Sequence, residues 1–234
     1  VKKLDGLPLA LATAGAYLRQ TSITFAEYDN LYEASWAKLQ KTSPYLDSYE
    51  DRQLYSTWQI SFDQIQQRNE ASAELLRLWA YFDNEDIWYE LLCHDADEQS
   101  PAWLRELAND RLDFNSAIRV LCDHGIVDAH PPTRGQSSGY TMHSCVHSWT
   151  RDVLNAEPDE DLARTALFCV ANSVPEPESA QWWMVQRRLF NHANRQLHEH
   201  ASAGDDASWA FFNLGLLYRQ QGKLAEAEKM YNRA

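Results

Sequence analysis

His143, Cys145 and His147 alternate along one short stretch, and residue types of this kind can bind a metal. On a strand, alternate residues share a face, so the three could converge on an ion. Zinc, however, usually takes four ligands arranged in spaced pairs, and no complementary pair lies nearby in sequence. Cys93-His94 and Cys122-x-His124 could join them only through the fold, so a buried Cys145 thiol is the default expectation. The many Ser, His and Asp residues allow a hydrolytic triad on paper. Such a set is expected by chance at this composition, and no nucleophile-elbow pattern accompanies it. Trp182-Trp183 followed by Arg187-Arg188 could stack on nucleic acid. At helical spacing the simpler expectation is that the tryptophans pack and the arginines are solvated. No Gly-x-x-x-x-Gly-Lys-Ser/Thr loop occurs, and no strand ends in paired acids that could hold Mg²⁺. Phosphate affinity of that kind rests on such a loop's backbone N–H groups and its lysine. By itself the chain is therefore expected to be no enzyme and to hold no nucleotide tightly.

Composition narrows the field further. The 234 residues suffice for one large or several small domains with real cores. Hydrophobic residues make up 44 %, with nine Trp, yet no run approaches the roughly 18–20 apolar residues of a membrane span. No leader pattern is visible, and four scattered Cys (Cys93, Cys122, Cys145, Cys169) read as reduced core thiols. A cytoplasmic protein is expected. The net charge of −13 disfavours nucleic acid and anionic lipid as partners. The chain opens on Val1 and stops inside a helical pattern at Ala234, so both ends read as boundaries within a longer protein.

Helical periodicity dominates the elements that would position these residues. Gly6-Leu7-Pro8 leads into a helix with Leu7, Leu11, Ala14 and Leu18 at spacings of four, three and four. Pro8 suits the first helical position, where its missing N–H leaves no bond unmade. Further apolar-patterned segments follow near Phe25–Leu39 and Leu54–Ile65, separated at Ser43-Pro44. Leu75, Leu78, Trp79 and Phe82 stripe another helix; Asp86 is expected to cap a helix over Ile87–Leu92, and Gly125 to end one carrying Phe114, Ile118 and Leu121. The period then changes: Ile126–His130 and Tyr140–Met142 read as two strands joined by a loop. Three helices and a two-stranded hairpin are the plan of a winged helix. A helix through Val146, Trp149 and Val153 should stop at Asn155 and Pro158. Leu162, Ala166 and Cys169 line the next helix, and Trp182, Val185 and Leu189 the one after, with Pro175-Glu176-Pro177 as a stiff linker between them and a polar stretch over Ala201–Ala207. At the tail, Phe211-x-x-Leu214-Gly215-x-x-Tyr218 and Ala227-x-x-x-Tyr231 resemble a tetratricopeptide repeat (TPR), turning at Gln221-Gly222-Lys223. One repeat cannot bury its own apolar face, so an array should continue.

Leu4-Asp5-Gly6-Leu7-Pro8-Leu9-Ala10 resembles the GLPLA motif of NB-ARC nucleotide switches, the STAND ATPases of NLR-like receptors. The order of that helix, a winged helix and a TPR is similar to the NB-ARC–TPR architecture. The fold this implies is mainly α: a helical subdomain over 1–65, a winged-helix domain with a small β-hairpin over 66–156, a helical linker over 157–207, and a partial first TPR over 208–234. In the family the winged helix ends in a Met-His-Asp motif whose histidine reaches the β-phosphate of ADP. Met142-His143-Ser144 stands in that place, with Ser144 replacing the acid. By resemblance His143 is the ADP sensor and Pro8 packs against adenine. The resemblance implies ADP or ATP as cofactor of the full-length protein, an upstream P-loop domain as intramolecular partner, protein ligands on the TPR array, and homo-oligomerisation on activation. Two rival readings remain at this point. A winged-helix DNA-binding regulator is disfavoured by Asp110, Asp113 and Asp123 beside Arg119 near the expected recognition helix over Asn115–Gly125. A plain TPR scaffold is the other.

Overall fold

A computed structural model describes residues 4, 7–42, 49–93, 100–132, 136–176, 182–198 and 207–234. The expectations placed on Asp5, Gly6, Ser43-Pro44, His94, Pro177 and residues 201–206, and on the Cys93 side chain, lie outside the described residues.

The protein is mainly helical with one small sheet. Helix α1 (Pro8–Thr21) starts with Pro8 at its first turn, as the missing N–H requires, and Leu7 N–H donates back to Leu4 O. It buries Ala10, Thr13, Ala14, Ala16 and Tyr17; of the expected stripe only Ala14 is among them, while Leu7, Leu11 and Leu18 stay half-buried. Helix α2 (Phe25–Thr42) begins at a reciprocal cap. Thr24 Oγ1 accepts from Glu27 N–H at 3.2 Å, and Glu27 Oε2 accepts from Thr24 N–H at 2.7 Å. Helices α3 (Tyr49–Arg68) and α4 (Glu70–Trp79) follow, the latter capped by Asn69.

Next come β1 (Ile87–Trp88), α5 (Tyr89–Cys93), α6 (Ala102–Asn109) and α7 (Arg111–Asp123). Strands β2 (Val127–His130) and β3 (Gly139–Met142) complete an antiparallel sheet of order β1-β3-β2. Ile87 faces Tyr140 and Val127 faces Met142. The hairpin expected from the sequence therefore gains a third strand. Ile87-Trp88 joins the sheet instead of opening a helix, and Asp86 takes a left-handed turn (φ 53°) rather than a capping conformation. Gly125 does end α7 in the left-handed region, at φ 67°.

Helix α8 (Ser144–Trp149) runs directly into a π-helical turn, Thr150–Leu154. Asn155 ends it and ties back to α4, donating to Arg77 O at 2.9 Å. Helices α9 (Glu160–Asn172), α10 (Trp182–His198), α11 (Ser208–Gln220) and α12 (Leu224–Tyr231) complete the chain. α11 and α12 turn at Gly222 (φ 73°) and touch where Gly215 lies under the Tyr231 ring. A Cβ at Gly215 would run into that ring, so the close approach requires glycine there.

One apolar cluster extends from Trp58 through Trp79, Phe114, Trp149 and Leu189 to Tyr218 and Met230. A smaller one joins α1, α2 and Ile60 of α3. The Gly125 turn lies against α1: a Cβ there would sit 3.8 Å from Ala16 Cβ and 4.0 Å from the Thr13 backbone. Helix α1 thus packs directly on the turn that leads into the sheet. No described helix is long and apolar enough to cross a membrane.

Candidate functional site

His143 sits at the seam between β3 and α8. The strand ends at Met142 because its backbone groups turn to Asn84. Met142 N–H donates to Asn84 O at 2.8 Å, and Asn84 Nδ2 donates to Met142 O at 2.9 Å. His143 is then free to act as the N-cap of α8, with Nδ1 accepting from Cys145 N–H at 3.2 Å. Its ring is exposed. That bond assigns the neutral tautomer: with Nδ1 as acceptor, the proton lies on Nε2, which is left as a donor toward solvent. Ser144 is exposed beside it. Pro8 is exposed at the start of α1, on a different element.

The metal alternative loses its geometric basis. Residues 144–149 are helical, so His143, Cys145 and His147 do not share a strand face. His147 is buried and bonds Phe82 O through Nε2 at 3.0 Å, whereas Cys145 is exposed, against the expectation of a buried thiol. Among the described residues no group of three His, Cys, Asp or Glu side chains could hold a metal. On α7, Arg111 pairs with Glu90 at 3.3 Å and Arg119 approaches Asp123 at 4.0 Å. These cations already face acids, which weakens the helix as a phosphate-reading surface.

The Trp182-Trp183-Arg187-Arg188 segment reverses its expected arrangement in part. Trp183 is 57 % exposed, while the Arg188 side chain is only 10 % exposed. Arg188 makes a two-pronged pair with Asp86, Nη2–Oδ1 at 2.6 Å and Nε–Oδ2 at 2.8 Å, and its guanidinium lies 4.3 Å over the Trp88 ring. The physical reason lies in the turn. The left-handed Asp86 backbone aims its carboxylate across Gly139, where a side chain would collide with it.

This pair belongs to a larger arrangement that the sequence reading did not single out. Beside its backbone bonds and those of Asn84, the turn 81–86 is held by side chains from elsewhere. Gln196 Nε2 donates to Tyr81 O at 3.0 Å, and His192 Nδ1 accepts from Asp83 N–H at 3.2 Å. His192 Nε2 reaches Asp86 O, also at 3.2 Å. Arg188, His192 and Gln196 are spaced by four and form one stripe of α10. A second stripe, Gln186, Phe190 and Asn194, faces α11 and its C-terminal end. Gln186 exchanges hydrogen bonds with Gln220 and Gln221, Phe190 packs edge-on to Tyr218 at 6.0 Å, and Tyr218 Oη donates to Asn194 at 3.1 Å. The signal that could have found this was a polar stripe, Arg188, His192 and Gln196, opposite a mixed one, Gln186, Phe190 and Asn194, each at a spacing of four on a helix without acids.

The site and fold thus define a mainly helical protein. Its small antiparallel sheet presents a histidine, and one helix bridges that sheet to a C-terminal helix pair. No family model matches the chain, and no solved structure matches it. It is similar to a nucleotide-binding leucine-rich repeat (NLR)-like protein of Hyaloscypha variabilis, 36 % identical over 85 residues. Those residues are 32 % of this chain and 9 % of that protein, so the likeness is to a small part of a much longer chain.

Proposed function

We propose that this chain is the regulatory half of an NLR-like nucleotide switch of the NB-ARC–TPR type, which keeps the switch at rest and couples a C-terminal sensor to it. In this reading α4–α8 with the sheet are the winged helix, and α11–α12 are the first helices of a TPR array that takes protein ligands. The P-loop domain that holds ADP or ATP lies upstream in the same cytoplasmic protein, and activation leads to oligomers. This part carries out no chemistry of its own. Its residues position and sense: Pro8 offers a flat apolar edge to adenine, and His143 Nε2–H donates to the β-phosphate.

The observation that carries the proposal is the continuity of contacts from the helix pair to His143. α11 and the residue that ends it, Gln221, grip α10 through Gln186, Phe190 and Asn194. α10 grips turn 81–86 through Arg188, His192 and Gln196. The turn in turn fixes Met142 through both of its Asn84 bonds, one residue before His143. A shift of the helix pair has a packed and hydrogen-bonded route to the histidine, and a sensor ligand would act by favouring one of its two arrangements.

The test is His143→Ala in the full-length protein. Removing a hydrogen bond to a charged phosphate should speed ADP release by about 10–100-fold, the equivalent of roughly 1.5–3 kcal/mol, and raise basal signalling. Unchanged ADP retention together with unchanged basal output would defeat the proposal. A DNA gel shift at low salt addresses the rival regulator reading, and none is expected.

A further inference from the structure

His192 is completely buried, between the rings of Phe82 and Trp88 with centroids at 5.7 and 5.8 Å. Its two bonds to turn 81–86 fix its protonation state. Asp83 N–H can only donate, so Nδ1 must accept; Nε2 therefore carries the single proton and donates it to Asp86 O. A second proton on Nδ1 would set N–H against N–H and place a charge among aromatic rings. Around the ring, the Asp83 and Asp86 carboxylates of the turn favour the charged form, and Arg188 on its own helix opposes it. Burial outweighs these and lowers the pKa below the ordinary histidine value. His147, reaching Phe82 O from α8, is held below that value too, with Arg195 and Arg151 adding to the effect of burial.

We infer that α10 is a proton-released latch, in which neutral His192 clamps the helix to the Tyr81–Asp86 turn and protonation of the ring lets the helix come away while the core of α4 and α7 stays folded. The remaining polar grips suit such release. Arg188 and Gln196 hold the turn by bonds that water can replace, and Asp86 is already 45 % exposed at its side chain. The apolar contacts of Leu189, Ala193 and the Arg188–Trp88 stack are what opening must give up. Because the opposite stripe of α10 holds α11, release would loosen the tie between the helix pair and turn 81–86. Meanwhile α11 stays packed on α9 through Asn213, which donates to Ala171 O at 3.3 Å, and through Trp209 against Phe168. The functional consequence rests on the proposed bridging role of α10; the latch itself does not.

The sign follows from the lowered pKa. The open state binds the proton more readily, so closure is complete above about pH 6.5 and weakens as the pH falls below that value. Hydrogen exchange of the chain at pH 7.5, 6.5 and 5.5, corrected for intrinsic exchange rates, reads this directly. Protection of α10 and of residues 81–88 is expected to fall by up to about tenfold per pH unit below pH 6.5, the slope for one proton. Protection in α7 and the middle of α4 should hold. His192→Gln, neutral at every pH, should remove that one-proton slope. The idea is overturned if α10 protection is flat to pH 5.5, if it falls only in step with α4 and α7, or if the variant keeps the wild-type slope. Should the variant not fold, the imidazole nitrogen resonances of His192 in the wild type decide. Titration below pH 6.5 accompanied by shifts along α10 supports the latch, and ordinary titration near 6.5 without them defeats it. Normal exchange behaviour alongside unaltered ADP release in an α10 variant of the full-length protein would instead count against the coupling.

Discussion

At the scale of residues, His143 and Arg188 show how one side chain can serve both folding and function. The cap made by His143 occupies Nδ1 and leaves Nε2 outward, so satisfying the start of α8 also orients the donor. Ser144, beside it, contributes no charge to the α8 N-terminus. Ser144→Asp should stabilise the chain by about 0.3–1 kcal/mol, since an acid there faces the positive end of the helix, as read from the urea midpoint. No gain, or a loss, would mean that the carboxylate disturbs the His143 cap. Arg188 carries more weight, because its side chain is nearly buried. Arg188→Met keeps much of the apolar contact with Trp88 but removes both bonds to Asp86. Asp86 is exposed enough to be rehydrated, so the cost should be modest, about 1–2 kcal/mol, by the same measurement. A neutral substitution would show that the pair adds geometry without stability.

At the scale of elements, what could be read in advance was local. Pro8 starting α1, Gly125 ending α7 and the Gly222 turn between α11 and α12 each follow from the conformational habits of one or two residues, and each is found. What could not be read depends on partners distant in sequence. Ile87-Trp88 lies within a helical pattern but pairs with Gly139-Tyr140, and sheet pairing overrides the local preference. The turn 81–86 is held by residues about a hundred positions later, and only their joint placement shows that Arg188, His192 and Gln196 form a clamp. Cys145 differs from the general tendency of free cysteines to be buried because α8 starts at Ser144, where the face carrying Val146 and Trp149 turns inward and Cys145 is left exposed. The helix pair offers its own check. Gly215→Ala would push a methyl group into the Tyr231 ring. The overpacking should cost about 1–3 kcal/mol, partly offset by alanine's better helix propensity of up to about 1 kcal/mol. Loss of the last helix pair's cooperativity in exchange or thermal melts is the expected reading; a stabilised pair would mean that the ring has room to move.

At the scale of the whole molecule, three histidines buried among the described residues give stability a common dependence on pH. His147 and His192 flank the 81–86 turn, and His124 lies at the end of α7, where the Gly125 turn meets α1. Burial lowers the pKa of all three, and Arg68 beside His124 adds to the effect. Each ring is neutral in the folded protein and takes up a proton more easily once unfolded. Stability is therefore fully present above about pH 6.5 and is lost as the pH falls toward the lowered folded values, by at most about 1.4 kcal/mol per pH unit for each ring. Between pH 6.5 and about 5 this loss belongs to the histidines, because ordinary carboxylates titrate lower. Urea unfolding at pH 7.5, 6.5 and 5.5 should show a falling midpoint at constant m-value. His124 separates this global effect from the α10 latch. Its Nδ1–H donates to Val120 O at 2.8 Å, while Nε2 is buried with no hydrogen-bond partner among the described residues. His124→Leu removes that unpartnered nitrogen and one proton from the balance, and gives up a single hydrogen bond in exchange. It should flatten the pH dependence of global unfolding while leaving the local opening of α10 unchanged. A midpoint that does not move with pH in the wild type would mean that the three rings take up protons as readily in the folded chain as in the unfolded one, and the linkage would fail.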